Sequence, residues 1–119
     1  MPDINYLSAK KEKTIRIIYV YAVEMNDEKT AISKLKYVEA KGDGKWSEPR
    51  FIDVNSLSKS IYNDEIIAWA GRVDNKNNKF TNVCKVVPQI IDGQYYVTSV
   101  TDGDVSNNLE NLPGYVKDN

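Results

Sequence analysis

Ile90-Ile91-Asp92-Gly93-Gln94-Tyr95-Tyr96-Val97 decides the fold. Asp-Gly between two β-branched and aromatic runs is the two-residue connection of a type I′ hairpin. Both central residues of that turn need positive φ, which glycine adopts at no steric cost. Phe80 to Ile91 is therefore a strand, with Pro88 at an edge position or a bulge, since proline cannot donate to a ladder. Working back along the chain, the polar run Asp74-Asn75-Lys76-Asn77-Asn78-Lys79 makes a turn, and Glu65 to Val73 forms another strand. Thr14 to Glu24 is β-branched and aromatic on both faces, the pattern of a central strand. Asn26-Asp27-Glu28-Lys29 turns the chain. Ala31 to Ala40 then alternates Lys34 and Lys36 against Leu35 and Tyr37, a hairpin partner with one wet face.

The remaining middle segment supplies the helix. Lys41-Gly42-Asp43-Gly44 is a turn, followed by Trp46. Pro49 confines Glu48 to an extended shape, and Phe51 and Ile52 pack after it. Asp53 or Asn55 can N-cap a short helix carrying Leu57, Ile61 and Tyr62 as one apolar stripe. A helix this short holds only by docking onto a sheet. The reading is α+β: a mostly antiparallel β-sheet of about five strands, one short docked helix and a short C-terminal helical turn. It assigns residues 1–13, with Lys10, Lys11 and Lys13, to a flexible arm and residues 14–119 to a single domain.

Composition narrows the function. With 119 residues there is material for one modest core. The formal charge is -1, from 16 Lys and Arg against 17 Asp and Glu, which disfavours a duplex nucleic acid partner. Histidine is absent, which removes Ser-His-Asp and Cys-His catalysis and imidazole-bearing zinc sites. The single cysteine, Cys84, lies in a β-type stretch and reads as a small buried hydrophobe; no internal disulfide can form, which suits a reducing cytoplasm. The apolar run Ile17 to Ala22 is too short for a signal peptide and is soon followed by Glu24. No segment approaches the roughly 20 apolar residues of a membrane span. Richness in Asn, Lys, Ile and Tyr hints at a low-GC bacterium or its phage.

The tail has its own pattern. Tyr95-Tyr96-Val97-Thr98-Ser99-Val100-Thr101-Asp102-Gly103 leads through a polar spacer into Asn107-Asn108-Leu109-Glu110-Asn111-Leu112-Pro113. Asn107 and Glu110 fit an N-cap with its capping-box partner, giving one helical turn that Pro113 ends. Leu109 and Leu112 then plug one end of the sheet as a lid. Asp102, Asp104, Ser106, Asn108 and Glu110 alternate like the first half of a calcium loop, but Asn107 replaces the needed glycine and Pro113 the closing glutamate, so no metal is assigned. This strand, Asp-Gly and Asn-Asn-Leu-x-x-Leu-Pro ending resembles the uncharacterised DUF3892 family of small bacterial domains. The resemblance implies a fold and no catalytic residues. The chain departs from the family in having Thr98, where an arginine often precedes the strand-terminal serine, and in longer loops around Lys41 and Asp74.

Two tryptophans and eight tyrosines are many aromatics for this length. Trp46, Trp69 and Tyr95, with Arg50 and Arg72, are the candidate residues for stacking a nucleotide-like ligand and holding its phosphate. The expectation is a non-catalytic cytoplasmic binding module, without a cofactor, that sequesters such a molecule. The rival is a protein-interaction module or inhibitor of a host protein, using an exposed strand or the Leu109/Leu112 lid. A carboxylate enzyme built on Asp53, Asp64, Glu65, Asp102 or Asp104 is a remote third reading. Unpaired sheet edges would also let the chain form a homodimer.

Overall fold

A computed structural model of the chain describes residues 14–74, 76, 79–100 and 109–116. Asp92 and Gly93 have φ of 51° and 78°, the pair of left-handed values that a type I′ turn requires. They join β5 (Lys79–Ile91) to β6 (Gln94–Ser99) in the register Ile91↔Gln94 through Val86↔Ser99. The other elements are β1 (Arg16–Met25), β2 (Ile32–Glu39), β3 (Arg50–Asp53), α1 (Val54–Tyr62) and β4 (Ile66–Asp74). A 3-10 turn, Leu109–Asn111, follows near the C-terminus.

The strands form one six-stranded sheet in the order β3-β2-β1-β4-β5-β6. The architecture is α+β, as the pattern of the chain requires. The strand count differs from about five because Arg50–Asp53, not read as a strand, hydrogen-bonds to β2. The sheet is also mixed, since β1 and β4 run parallel. Parallel neighbours need a long crossover, and the β2 hairpin with α1 supplies it. Arm residues 1–13 lie outside the described residues.

Pro88 faces a gap in the ladder. The closing pair Ile91/Gln94 exchanges hydrogen bonds, so the alternation makes Pro88/Val97 a non-bonded pair. Its nitrogen therefore points toward β4, whose pairing with β5 begins only at Ala68↔Val86. That is an edge-like position inside an otherwise central strand.

Helix α1 is capped by Asp53, not Asn55. The Asp53 carboxylate accepts from Ser56 N at 3.0 Å and from Ser56 Oγ at 2.8 Å. Asn55 Nδ2 instead donates to Tyr95 O at 2.7 Å, and the fully buried Ser58 donates to Tyr96 O at 2.6 Å. The buried face is Val54, Leu57 and Ser58, with Ile61 packed against the core, a spacing of three, four and seven residues. Tyr62, expected on the apolar stripe, is 60% exposed and meets the Tyr95 ring edge-on.

The two hydrogen bonds from Ser56 hold the Asp53 carboxyl below the usual aspartate range. Its stabilisation is therefore present above the ordinary value near pH 4 and lost as pH falls through the lowered folded-state value. Asp53→Ala is expected to cost about 1 kcal/mol at neutral pH. Urea unfolding of both proteins, repeated at about pH 2, checks this: the difference between them must shrink in acid.

All helical packing falls on one side of the sheet. Ile18, Val20, Leu35, Ala68, Val86 and Val97 face α1 and the tail. Leu109 and Leu112, each 3% exposed, join that core. The opposite face carries Tyr19, Trp69, Lys36 and Lys85 at alternating strand positions and has no helix over it among the described residues.

Candidate functional site

Two irregularities side by side create the site. The register of β1 against β2 shifts between Val20 and Ala22, and that of β4 against β5 shifts between Ala70 and Arg72. Bulges bend strands. The parallel pairing of β1 with β4 ends at this level, at Val20↔Ala70. Beyond it the two strands part, and the C-terminal segment takes the vacated ladder position, with Val23 N donating to Pro113 O at 2.9 Å. Gly114 lies flat against this edge: a Cβ there would sit 1.8 Å from Val23 O, and its φ is +94°. The tail thus closes one side of the split.

The Lys41 loop builds the other side. Lys45 N donates to Gly42 O at 3.0 Å, and Ala40 bridges Trp46, which folds the chain back along β2. Buried Ser47 pins the return: Ser47 N donates to Glu39 O, and Glu39 N donates to Ser47 Oγ, both at 2.8 Å. Trp46 is thereby laid against the open face, its ring 5.0 Å from Tyr19 and 5.9 Å from Phe80. Tyr19 and Phe80 are 4.9 Å apart, and Tyr21 and Phe80 6.4 Å. Backbone fixed on both sides makes this a preformed aromatic wall.

Two clefts follow from this arrangement. One, of about 350 Å³, is lined by Tyr21, Val38, Trp46, Pro49, Val73, Lys79 and Phe80. The other, of about 550 Å³, is lined by Tyr21, Gly71, Arg72, Val73 and the tail residues Asn111 to Tyr115. Tyr21 and Val73 line both, so the clefts are neighbouring lobes that share these two side chains. The aromatic lobe offers ring faces with Lys79 at its rim. The tail lobe offers the exposed Arg72 guanidinium and the Asn111 side chain. Burial pushes the Tyr21 phenol above its ordinary pKa, so at neutral pH it is a neutral hydroxyl able to donate or accept.

Of the five candidate ligand residues, the structure brings Trp46 and Arg72 to this groove and disperses the others. Trp69 stands on the open face beside Tyr19, outside the residues lining either lobe. Arg50 lies opposite Tyr37, near a polar cluster in which Arg16 donates to Glu39 Oε1 at 2.8 Å and to Tyr37 Oη at 3.4 Å. The Glu39 carboxyl is held below its usual range first by the Arg16 hydrogen bond, with Arg50 and Lys41 adding to the pull. Arg50 therefore stands near that cluster and lines neither lobe. Tyr95 packs toward α1, with Lys59 Nζ 5.4 Å from its ring centre.

The candidate carboxylates do not converge among the described residues. Asp53 caps α1, while Asp64 and Glu65 are exposed at the turn into β4. Asp102, Asp104, Gly103, Asn107 and Asn108 lie outside the described residues. Leu109 N donates to Ser99 Oγ at 3.2 Å, and Leu109 and Leu112 are core residues that support the tail lobe from below. Cys84, the single cysteine of the chain, is buried. No helix of the described residues is long and apolar enough to cross a membrane.

Sequence reasoning missed Tyr21 and Phe80. Both read as ordinary strand aromatics, and only the bulge after Val20 turns Tyr21 toward the split. A doubled apolar step at Tyr21-Ala22, between Val20 and Val23, is the one local sign of that bulge.

The chain has no match among curated proteins or solved structures. A family profile does match, described as a protein of unknown function (DUF3892), over residues 16–113. That span runs from the first residue of β1 to the proline that ties the tail back to it, and the chain belongs to the DUF3892 family.

Proposed function

We propose that the protein is a non-catalytic binding module that sequesters a small planar anion of the nucleotide type in the two-lobed groove. The observation that carries this reading is that Tyr21 and Val73 line both lobes, which sets the aromatic wall and Arg72 on either side of the same two side chains. A flat ring stacks on Trp46 and Phe80, and a phosphate reaches Arg72 across Tyr21. Lys79 adds a second positive charge at the aromatic end. A single buried cysteine suits a reducing, cytoplasmic setting for such a protein.

The interaction-module reading has less surface to use. Leu109 and Leu112 point into the core. The β3 edge is four residues long and follows Pro49, and the β6 edge receives Asn55 on Tyr95 O. Both edges are blunted in ways that discourage strand addition by a partner or a second copy.

Titration of Trp fluorescence with a panel of mono- and dinucleotides tests the proposal. The expected result is saturable quenching by at least one nucleotide, recovered unchanged after denaturation, and weakened about tenfold or more by Arg72→Ala. Absence of quenching across the panel, or equal affinity in the variant, overturns it.

A further inference from the structure

We infer that the open face of the sheet, outside the groove, binds single-stranded nucleic acid. This goes beyond the groove reading, because it rests on Trp69, Tyr19 and Lys85, which line neither lobe. Trp69 and Tyr19 are direct neighbours in the β1–β4 register. Tyr19 is paired on its other side with Val38, and Trp46 is packed edge-on to Tyr19 at 5.0 Å. One line perpendicular to the strands thus carries Trp69 and Tyr19, about 5 Å apart, and Trp46 of the aromatic lobe adjoins its Tyr19 end. All three are half-buried, so each ring is held from below while presenting surface. A row of fixed rings is the platform on which successive bases stack without sequence preference.

Charge selects a polyanion for this face. Lys85 stands directly opposite Trp69 at one end of the row. Lys36 lies on the same face, its ammonium 5.9 Å from the Tyr21 ring centre and 5.6 Å from that of Phe51. Lys34 is the next outward position on β2, with Glu24 opposite it on one side and Asp53, which caps α1, on the other. Three further acids, Asp43, Asp64 and Asp92, occupy positive-φ turn positions between the elements. A chain of formal charge -1 therefore places lysines between aromatics on the face that carries no helix among the described residues. The narrow row suits a flexible single strand, whose bases are free to splay, and not the stacked interior of a duplex.

Fluorescence anisotropy of a labelled oligothymidylate of about fifteen nucleotides, titrated with the full chain, tests this. The expected result is saturable binding that falls steeply between about 50 and about 200 mM salt, with the matching duplex much weaker. Lys85→Gln and Trp69→Ala are each expected to weaken it about fivefold or more. Lys85 is exposed, so its variant keeps the fold and remains informative if Trp69→Ala does not. Mononucleotide quenching without oligonucleotide binding overturns this inference and leaves the groove reading standing; oligonucleotide binding without mononucleotide quenching does the reverse. Equal competition by polyglutamate, or binding unchanged in Lys85→Gln, also overturns it, because charge alone or another surface would then be responsible.

Discussion

Gly114→Ala is expected to destabilise the protein by about 3 kcal/mol or more, the sum of two separate costs. At φ +94° an L-residue is strained, at about 1–3 kcal/mol for such backbone positions. The new methyl would also meet Val23 O at 1.8 Å. That atom is backbone, so no rotamer change relieves the overlap, and overpacking of this kind costs about 1–3 kcal/mol. The only escape is for the tail to lift, breaking the Val23 N to Pro113 O bond and drawing Leu112 out of the core. Urea unfolding against Gly44→Ala isolates the effect. Gly44 also has positive φ, at +72°, but its Cβ would meet nothing within 4 Å. A loss near 1 kcal/mol is expected there. Similar midpoints for the two variants would mean that the tail is not docked on β1. The same Gly114 variant should also weaken ligand binding, because Asn111 to Tyr115 form one lobe of the groove.

Leu57→Ala is the second large effect, at about 2–5 kcal/mol. Leu57 is fully buried at the centre of the helical face, where truncation leaves a cavity between α1 and the sheet. A nine-residue helix has little stability of its own, so weakening its anchor loosens the whole element. Asn55 and Ser58 would then leave the β6 carbonyls, exposing a sheet edge. The measurable signs are a lower urea midpoint and faster aggregation on warming. Tyr62→Ala, at the exposed end of the helix, is the control and should stay within about 0.5 kcal/mol. If Leu57→Ala were as mild as Tyr62→Ala, α1 would not be what holds this side of the sheet.

Much of the fold was legible because it depends on neighbours in sequence. Asp92-Gly93 fixes its own turn by its φ preferences, and the alternation of Lys34 and Lys36 with Leu35 and Tyr37 fixes which face of β2 is wet. Asp53 and Ser56 form a cap within one turn of chain. The strand at Arg50–Asp53 was less legible, because four residues carry little periodicity and pair only when β2 is already present. The parallel placement of β1 beside β4 has no local signature at all.

The candidate site divides along the same line. Residue types alone singled out Trp46 and Arg72 as a ring and a cation suited to a nucleotide. Composition alone removed histidine chemistry. That these two share a groove, while Trp69, Arg50 and Tyr95 go elsewhere, depends on two bulges at the same height on neighbouring strands. A bulge is a negotiation between strands distant in sequence, so its effect on a third segment, the tail, cannot be read from any one of them. By itself the sequence determined the class of fold, its turns, its cap and the absence of imidazole, because each follows from local conformational preference or composition. The tertiary structure alone decided the split between β1 and β4, its closure by Gly114 and the gathering of lysines and aromatics on one face, because these arise where long-range pairing begins and stops.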